Sequence, residues 1–195
     1  MADKLFDNLI EVEQKKQAEN QSFLRFIAIL IVVFSLFLYA RTQVFMLIDV
    51  VGDSMCPTLD SGDLLVARKT RDLKRGDIIV FTADNGTKNL IKRVIALEGD
   101  TVWSENGKVL ISYEDDAGNL KQYTIKEDYL MSQGITYVVE TKVEAGCVFV
   151  LGDNRAISND SRSFGQIKLD DVLGVVTNWS IAGKDSIFAN LFYLL

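Results

Sequence analysis

The stretch FIAILIVVFSLFLYA, residues 26–40, is fifteen consecutive residues without a charge, bracketed by Arg25 and Arg41. Three structures suit such a run. A cleaved targeting segment ends at a small-x-small site, whereas Leu38-Tyr39-Ala40 carries leucine where a small residue is needed, behind an unusually long polar arm. A buried core helix would not be apolar all round in so small a domain. An uncleaved membrane anchor fits best. A bilayer core takes roughly 20 apolar residues, and Phe23 and Leu24 in front and VFMLI at 44–48 behind extend the run while Arg25 snorkels. The anchor is therefore expected over residues 23–45.

Residues 1–22 form a charged arm in which Leu5, Phe6, Leu9, Ile10 and Val12 recur at helical spacing, which reads as an amphipathic helix. Lys4, Lys15, Lys16 and Arg25 precede the span and only Arg41 follows it closely. The positive-inside rule then puts the arm in the cytoplasm and residues 46–195 outside. A single-pass protein of the plasma membrane is expected, with the lipid bilayer as its first partner.

From Phe45 onward the pattern changes to short runs rich in Val, Ile, Phe and Tyr, separated by turn residues. Gly-Asp pairs at Gly52, Gly62, Gly76, Gly99 and Gly152 stand at run boundaries, where glycine supplies φ > 0 and aspartate bonds its own backbone. DNG at 84–86 and ENG at 105–107 read as hairpins. A chain of 195 residues, 48% apolar, can bury one core with a small appendage. The outer part is expected to be mainly β, antiparallel sheets that curl on themselves, with an acidic, strand-rich extension at about 101–147 that takes no catalytic part. VFMLI (44–48) and the C-terminal IFANLFYLL (187–195) either dip into the outer leaflet or form core strands or helices.

The charge of −6, with dispersed basic residues, excludes general binding of nucleic acid, which needs a concentrated basic face. The acidic EDDAGN at 114–119 lacks the alternating oxygen spacing of a calcium loop, so no metal is expected. Cys56 and Cys147 are too few for a disulfide scaffold and are read as separate thiols, a bridge between them being the open alternative.

VVGDSMCPTL at 50–59 sets Ser54 in a Gly-Asp turn ahead of Pro57, the chain's single proline, and the chain has no histidine. A serine nucleophile must then lose its proton to a lysine, a carboxylate, an N-terminal amine or a metal. Cys56, beside Ser54, lacks a histidine to make it a thiolate. Most lysines lie in polar turns, but Lys92, in LIKRVIAL, shares a strand face with Leu90, Val94 and Ala96, and Arg93 shares the other with Ile91, Ile95 and Leu97. Arginine stays charged almost anywhere, whereas a desolvated lysine can become a neutral amine. On the strand alone Lys92 either does this or snorkels or pairs with an acid.

Four blocks in order carry a family resemblance: GDSMCPTL (52–59), RGDIIVF (75–81), IKRVIALEGD (91–100) and GDNRAISNDSRSFG (152–165). Behind an N-terminal anchor they resemble the type I bacterial signal peptidases, and the GDSM form is similar to the Gram-positive branch. The resemblance implies a barrel-like signal-peptidase/SOS-repressor-protease fold. It implies a serine endopeptidase without cofactor that removes signal peptides from exported pre-proteins after small residues at −1 and −3, near the secretion translocon. Carried over, Ser54 is the nucleophile, Lys92 the general base, and Ser158 the serine that bonds the lysine amine. Asp160 and Arg162 are the supporting ion pair, and Asp153 and Asn154 belong to the loop before it. Met55, Cys56 and Pro57 shape the groove beside the nucleophile. The chain departs from the pattern at Gly52, where part of the family has a hydroxyl that helps the oxyanion hole, and at Ala96, Glu98 and Ala156. A non-catalytic relative serving surface-protein or pilus assembly would lack Ser54 or Lys92. A self-cleaving Ser–Lys repressor would carry a DNA-binding domain instead of an anchor.

Overall fold

The computed structural model describes residues 2–83, 86–115, 117–130 and 136–177. The chain divides into two units, Met1–Val44 and Phe45–Leu195. In the first unit a single helix, α1, runs over Ala2–Val44. No glycine or proline interrupts it, so the arm and the anchor, distinct in composition, share one helix. Its stretch Lys15–Tyr39, 25 residues, is long and apolar enough to cross a membrane, spanning about 37 Å at ~1.5 Å per residue. The large apolar side chains from Phe23 to Tyr39 named here, Phe26, Ile29, Val33, Leu36 and Phe37 among them, are more than half exposed. That is the surface a lipid phase would cover.

The second unit is built from strands. In chain order they are β1 (Phe45–Asp49), β2 (Leu64–Arg68), β3 (Ile78–Ala83), β4 (Lys88–Ala96), β5 (Thr101–Glu105), β6 (Lys108–Glu114), β7 (Leu120–Thr124), β8 (Thr141–Lys142), β9 (Cys147–Leu151), β10 (Ile167–Lys168) and β11 (Val172–Val176), with one helical turn, α2, at Ser161–Phe164. Among the described residues they form a larger sheet in the order β1-β2-β11-β3-β4-β9-β10 and a smaller one in the order β7-β6-β5-β8. Every pairing is antiparallel. VFMLI thus lies largely in β1, with Met46 and Ile48 packed on the core and Leu47 facing out. IFANLFYLL lies outside the described residues.

The larger sheet curls. β1 and β4 are separated by three strands, yet Met46, Ile48 and Ile91 pack on one cluster with Met55, Leu59, Leu65 and Val80. Among the described residues the sheet does not close into a barrel: β1 pairs with β2 alone, and β9 meets β4 only from Arg93 onward. A second cluster fills the other face of β3 and β4 with Ile79, Phe81, Val94, Val150 and Val175. The extension has its own cluster, around Val102, Val109, Ile111 and Phe149.

ENG forms the two-residue hairpin expected of it: Glu105 pairs with Lys108, and Asn106 and Gly107 both take positive φ. Between residues 136 and 143 only Thr141 and Lys142 form a strand, β8. β7 gave no sequence signal because all five of its residues are exposed on a sheet edge, where apolar alternation is not required.

Candidate active site

Ser54 opens the turn that follows β1. Met55 and Leu59, four positions apart and at most 1% exposed, anchor one face of this turn in the core. The Leu59 N–H donates to the Met55 carbonyl at 3.0 Å, and Val50 and Gly62 are tied to the base of the turn at 2.9 and 2.8 Å. The backbone N–H of Ser54 makes no hydrogen bond among the described residues. It is thus available as a donor.

Lys92 is 2% exposed. Its partner on β3 is Ile79, and Leu90 and Val94 on its own face belong to the same apolar cluster. The strict alternation ends at Val94, where β4 slips its register against β9. Beyond this irregularity Ala96 joins Ile95 in the extension's cluster and Leu97 takes the Lys92 side. The Lys92 Nζ lies 2.8 Å from Ser54 Oγ and 2.8 Å from the Ile91 carbonyl oxygen. Burial among hydrocarbon lowers the lysine pKa, and the Asp160 and Asp153 carboxylates oppose that shift. The result is an amine on a hydroxyl with desolvation as the dominant influence.

The loop after β9 packs against this pair. The Asn154 N–H donates to the Ser54 carbonyl at 3.0 Å and the Asn154 side-chain amide to the Asp53 carbonyl at 3.1 Å. Asp160, fully buried, forms a two-point ion pair with Arg162 at 2.7 and 2.8 Å, caps α2 and accepts from the Gly152 N–H at 3.0 Å. Arg162 also donates to the carbonyls of Arg155 and Ser158. Gly152, unlike the other four Gly-Asp glycines, does not have positive φ. It is glycine because a Cβ there would come within 2.1 Å of Ser158 Oγ and 2.6 Å of the Ser54 carbonyl.

Two expected roles take a different form. The Ser158 hydroxyl is buried beside Gly152 and has no hydrogen-bond partner among the described residues; Lys92 is held by the Ile91 carbonyl of its own strand instead. Cys56 and Pro57 do not line the cleft beside Ser54, whereas Met55 does. Cys56 Sγ donates to the Leu59 carbonyl and to Asp60, whose hydrogen bond raises its pKa to about 11. It is a thiol rather than a thiolate, and Cys147 is also free.

A cleft of about 310 Å³ runs past Ser54 and Lys92 between β1 and the first half of β4, lined by Met46, Ile48, Val50, Ser54, Met55, Leu90, Ile91 and Lys92 among others. A family model described as signal peptidase, peptidase S26 matches residues 22–180. The chain belongs to this family. Signal peptidase I of Bacillus caldolyticus is 39% identical over 148 residues, covering 70% of this chain and 79% of that protein. Signal peptidase I of Streptococcus pneumoniae is 31% identical over 185 residues, covering 79% and 91%. A solved signal peptidase I from Enterococcus faecalis, 31% identical, covers 54% of this chain and 97% of its own and superposes loosely, at a TM-score of 0.38.

In this signal peptidase family member Arg93 has a partner that its own sequence neighbours do not reveal. Arg93 donates to Asp153 through Nε at 2.8 Å and Nη2 at 2.6 Å, and Thr58 Oγ1 donates to the same carboxylate at 2.5 Å. The signal was present: an arginine on an apolar strand face must find an anion. Which anion was a matter of loop geometry, because Asp153 lies 60 residues away in sequence.

Proposed function

We propose that this chain is a membrane-anchored serine endopeptidase that removes signal peptides from exported pre-proteins, with Ser54 as nucleophile and Lys92 as general base. The observation that carries this reading is the 2.8 Å contact between the Lys92 amine and Ser54 Oγ, with the lysine 2% exposed. Neutral Lys92 takes the proton of Ser54 as Oγ bonds to the scissile carbonyl carbon. The resulting oxyanion accepts from the Ser54 backbone N–H, the donor that Gly52 leaves unaided by a side chain. As the C–N bond breaks, the Lys92 ammonium gives its proton to the leaving amine. Water then gives a proton to the now neutral Lys92 Nζ as its oxygen bonds to the acyl carbon, and the Lys92 ammonium returns that proton to Ser54 Oγ as the acyl C–O bond breaks. Asp160, Arg162, Asp153 and Asn154 hold the loop against which this happens, and Ser158 fills the space behind Gly152.

The cleft supports an extended substrate. β1 and β4 run in the same direction, four antiparallel steps apart, and among the described residues no strand pairs with Met46–Ile48 or with Asn89–Ile91 on the edges that line the cleft. An inserted peptide would hydrogen-bond to both edges, as in other cases of strand addition. Its alternate side chains, small at −1 and −3, would face the floor of Met55, Leu90 and Ile91. In the same reading α1 crosses the plasma membrane with its N-terminus in the cytoplasm, so that the β unit works outside, beside the secretion translocon and on the lipid surface, with no nucleic acid involved.

The test is cleavage of a pre-protein by the purified full-length protein in detergent. Ser54→Ala and Lys92→Ala are expected to lower kcat by about 10³-fold or more. Cleavage by Lys92→Ala at the wild-type rate would remove the dyad. Its absence from the wild type would favour a non-catalytic role in surface-protein or pilus assembly.

A further inference from the structure

We infer that the β extension positions the catalytic loop, with Glu127 and Tyr129 as positioning residues that act through Arg155 and Arg93. The inference rests on the Ser54–Lys92 reading for its meaning, but its geometry stands separately. Glu127 and Tyr129 belong to none of the four sequence blocks. They lie in the segment between β7 and β8, and two arginines from the catalytic half of the unit meet them.

Arg155 spreads its donors over both parts. Its Nε donates to the Gly152 carbonyl at 3.0 Å, its Nη1 to Thr136 Oγ1 at 3.1 Å, and its Nη2 to the Glu127 carboxylate and to the Tyr129 hydroxyl, the latter at 3.3 Å. The Tyr129 hydroxyl itself donates to Glu127 at 3.1 Å. The face of Tyr129 receives the Arg93 guanidinium, with Cζ 4.0 Å from the ring centroid. Arg93 then holds Asp153 at two points. Both arginines that fix the Gly152-Asp153 peptide therefore converge on one tyrosine. The side chains of Arg155, Glu127 and Arg93 are 6%, 10% and 12% exposed, so solvent does little to weaken these contacts.

The same peptide bears on the nucleophile. Gly152 packs against the Ser54 carbonyl, and the next residue but one, Asn154, donates to it. A shift of this loop by a few tenths of an ångström moves the Ser54 backbone, and with it both the Oγ and the N–H expected to meet the oxyanion. Misplacement near 1 Å costs on the order of 10²-fold in rate. An extension that merely stabilised the fold would need no contact with these two arginines.

The test compares disruptive and conservative variants of the full chain in detergent. Glu127→Ala and Tyr129→Leu are expected to lower kcat for pre-protein cleavage about 10- to 100-fold, with KM within about twofold. Glu127→Gln keeps an acceptor for Arg155, and Tyr129→Phe keeps the ring under Arg93; each is expected to restore kcat to within about threefold of wild type. Tyr113→Leu serves as the control, since Tyr113 packs elsewhere in the extension, against Arg75. It is expected to lower the melting temperature without changing kcat. Equal kcat loss in Tyr113→Leu, or no loss in Glu127→Ala and Tyr129→Leu, overturns the inference. Hydrogen exchange of peptides covering 150–158 separates this from failure of the peptidase reading. Faster exchange is expected in Glu127→Ala whether or not the wild type cleaves, and unchanged exchange counts against the brace.

Discussion

Lys92 and Arg93 are neighbours on β4, and the fold treats their two charges in opposite ways. Arg93 keeps its proton and is given a carboxylate, whereas Lys92 is given hydrocarbon, a hydroxyl and a carbonyl oxygen. Since burial lowers the Lys92 pKa below its ordinary 10.5, the unfolded chain binds more protons than the folded one between the depressed value and 10.5. The lysine is therefore most destabilising below the depressed value, and its cost disappears as pH approaches 10.5. Lys92→Met is expected to abolish cleavage yet raise stability at pH 7, by about 1 kcal/mol for each pK unit of depression. The gain should shrink toward alkaline pH in denaturant melts, and a loss of stability at pH 7 would contradict it. For the wild type, kcat/KM should rise with pH through the depressed lysine value, because only the neutral amine can accept the seryl proton. Two residue types and the lack of histidine left a lysine base as one option for Ser54, and the family resemblance singled out Lys92. The silence of the Ser158 hydroxyl was not legible there, since a sequence shows that a serine is near a loop but not which way its oxygen turns.

At the scale of elements, the segment Gly152–Arg162 is held by side chains rather than by sheet pairing. Removing Asp160 would undo the ion pair with Arg162, the cap of α2 and the bond from Gly152 together. Asp160→Ala is expected to lower stability by about 3 kcal/mol, as for other broken buried pairs. Gly152→Ala should cost less, roughly 1–3 kcal/mol as overpacking, but its Cβ would push on Ser158 and the Ser54 carbonyl. Its kcat should therefore fall about tenfold or more, while a control such as Gly146→Ala, where no atom lies within 4 Å of the added Cβ, should pay in stability only. Equal kcat in both variants would show that close packing at Gly152 is not what the turn needs. In the sequence every Gly-Asp pair looks alike. For four of them the φ > 0 explanation suffices, and only the folded loop reveals that the fifth is glycine for lack of room.

For the whole molecule, the decisive feature is a curled sheet that, among the described residues, leaves a gap between β1 and β4, with Ser54 and Lys92 beside it. If a substrate strand fills that gap, its backbone amides matter as much as its side chains. N-methylation of one amide within three residues before the scissile bond is expected to raise KM about tenfold, the worth of one hydrogen bond, in a peptide cleavage assay. An unchanged KM for methylation at each of those positions would mean that the edges are not used. The apolar run of α1, the strand-rich β unit and the four family blocks, whose resemblance implies the roles of Ser54 and Lys92, were all determined by local composition and motif, because periodicity and residue chemistry are properties of neighbours in sequence. The pairing of Arg93 with Asp153, the curl that brings β1 to β4, and the meeting of Glu127 and Tyr129 with the catalytic loop were decided only by tertiary structure. Each joins residues far apart along the chain, and a partner that distant is selected by the packing of the whole sheet rather than by anything written beside it.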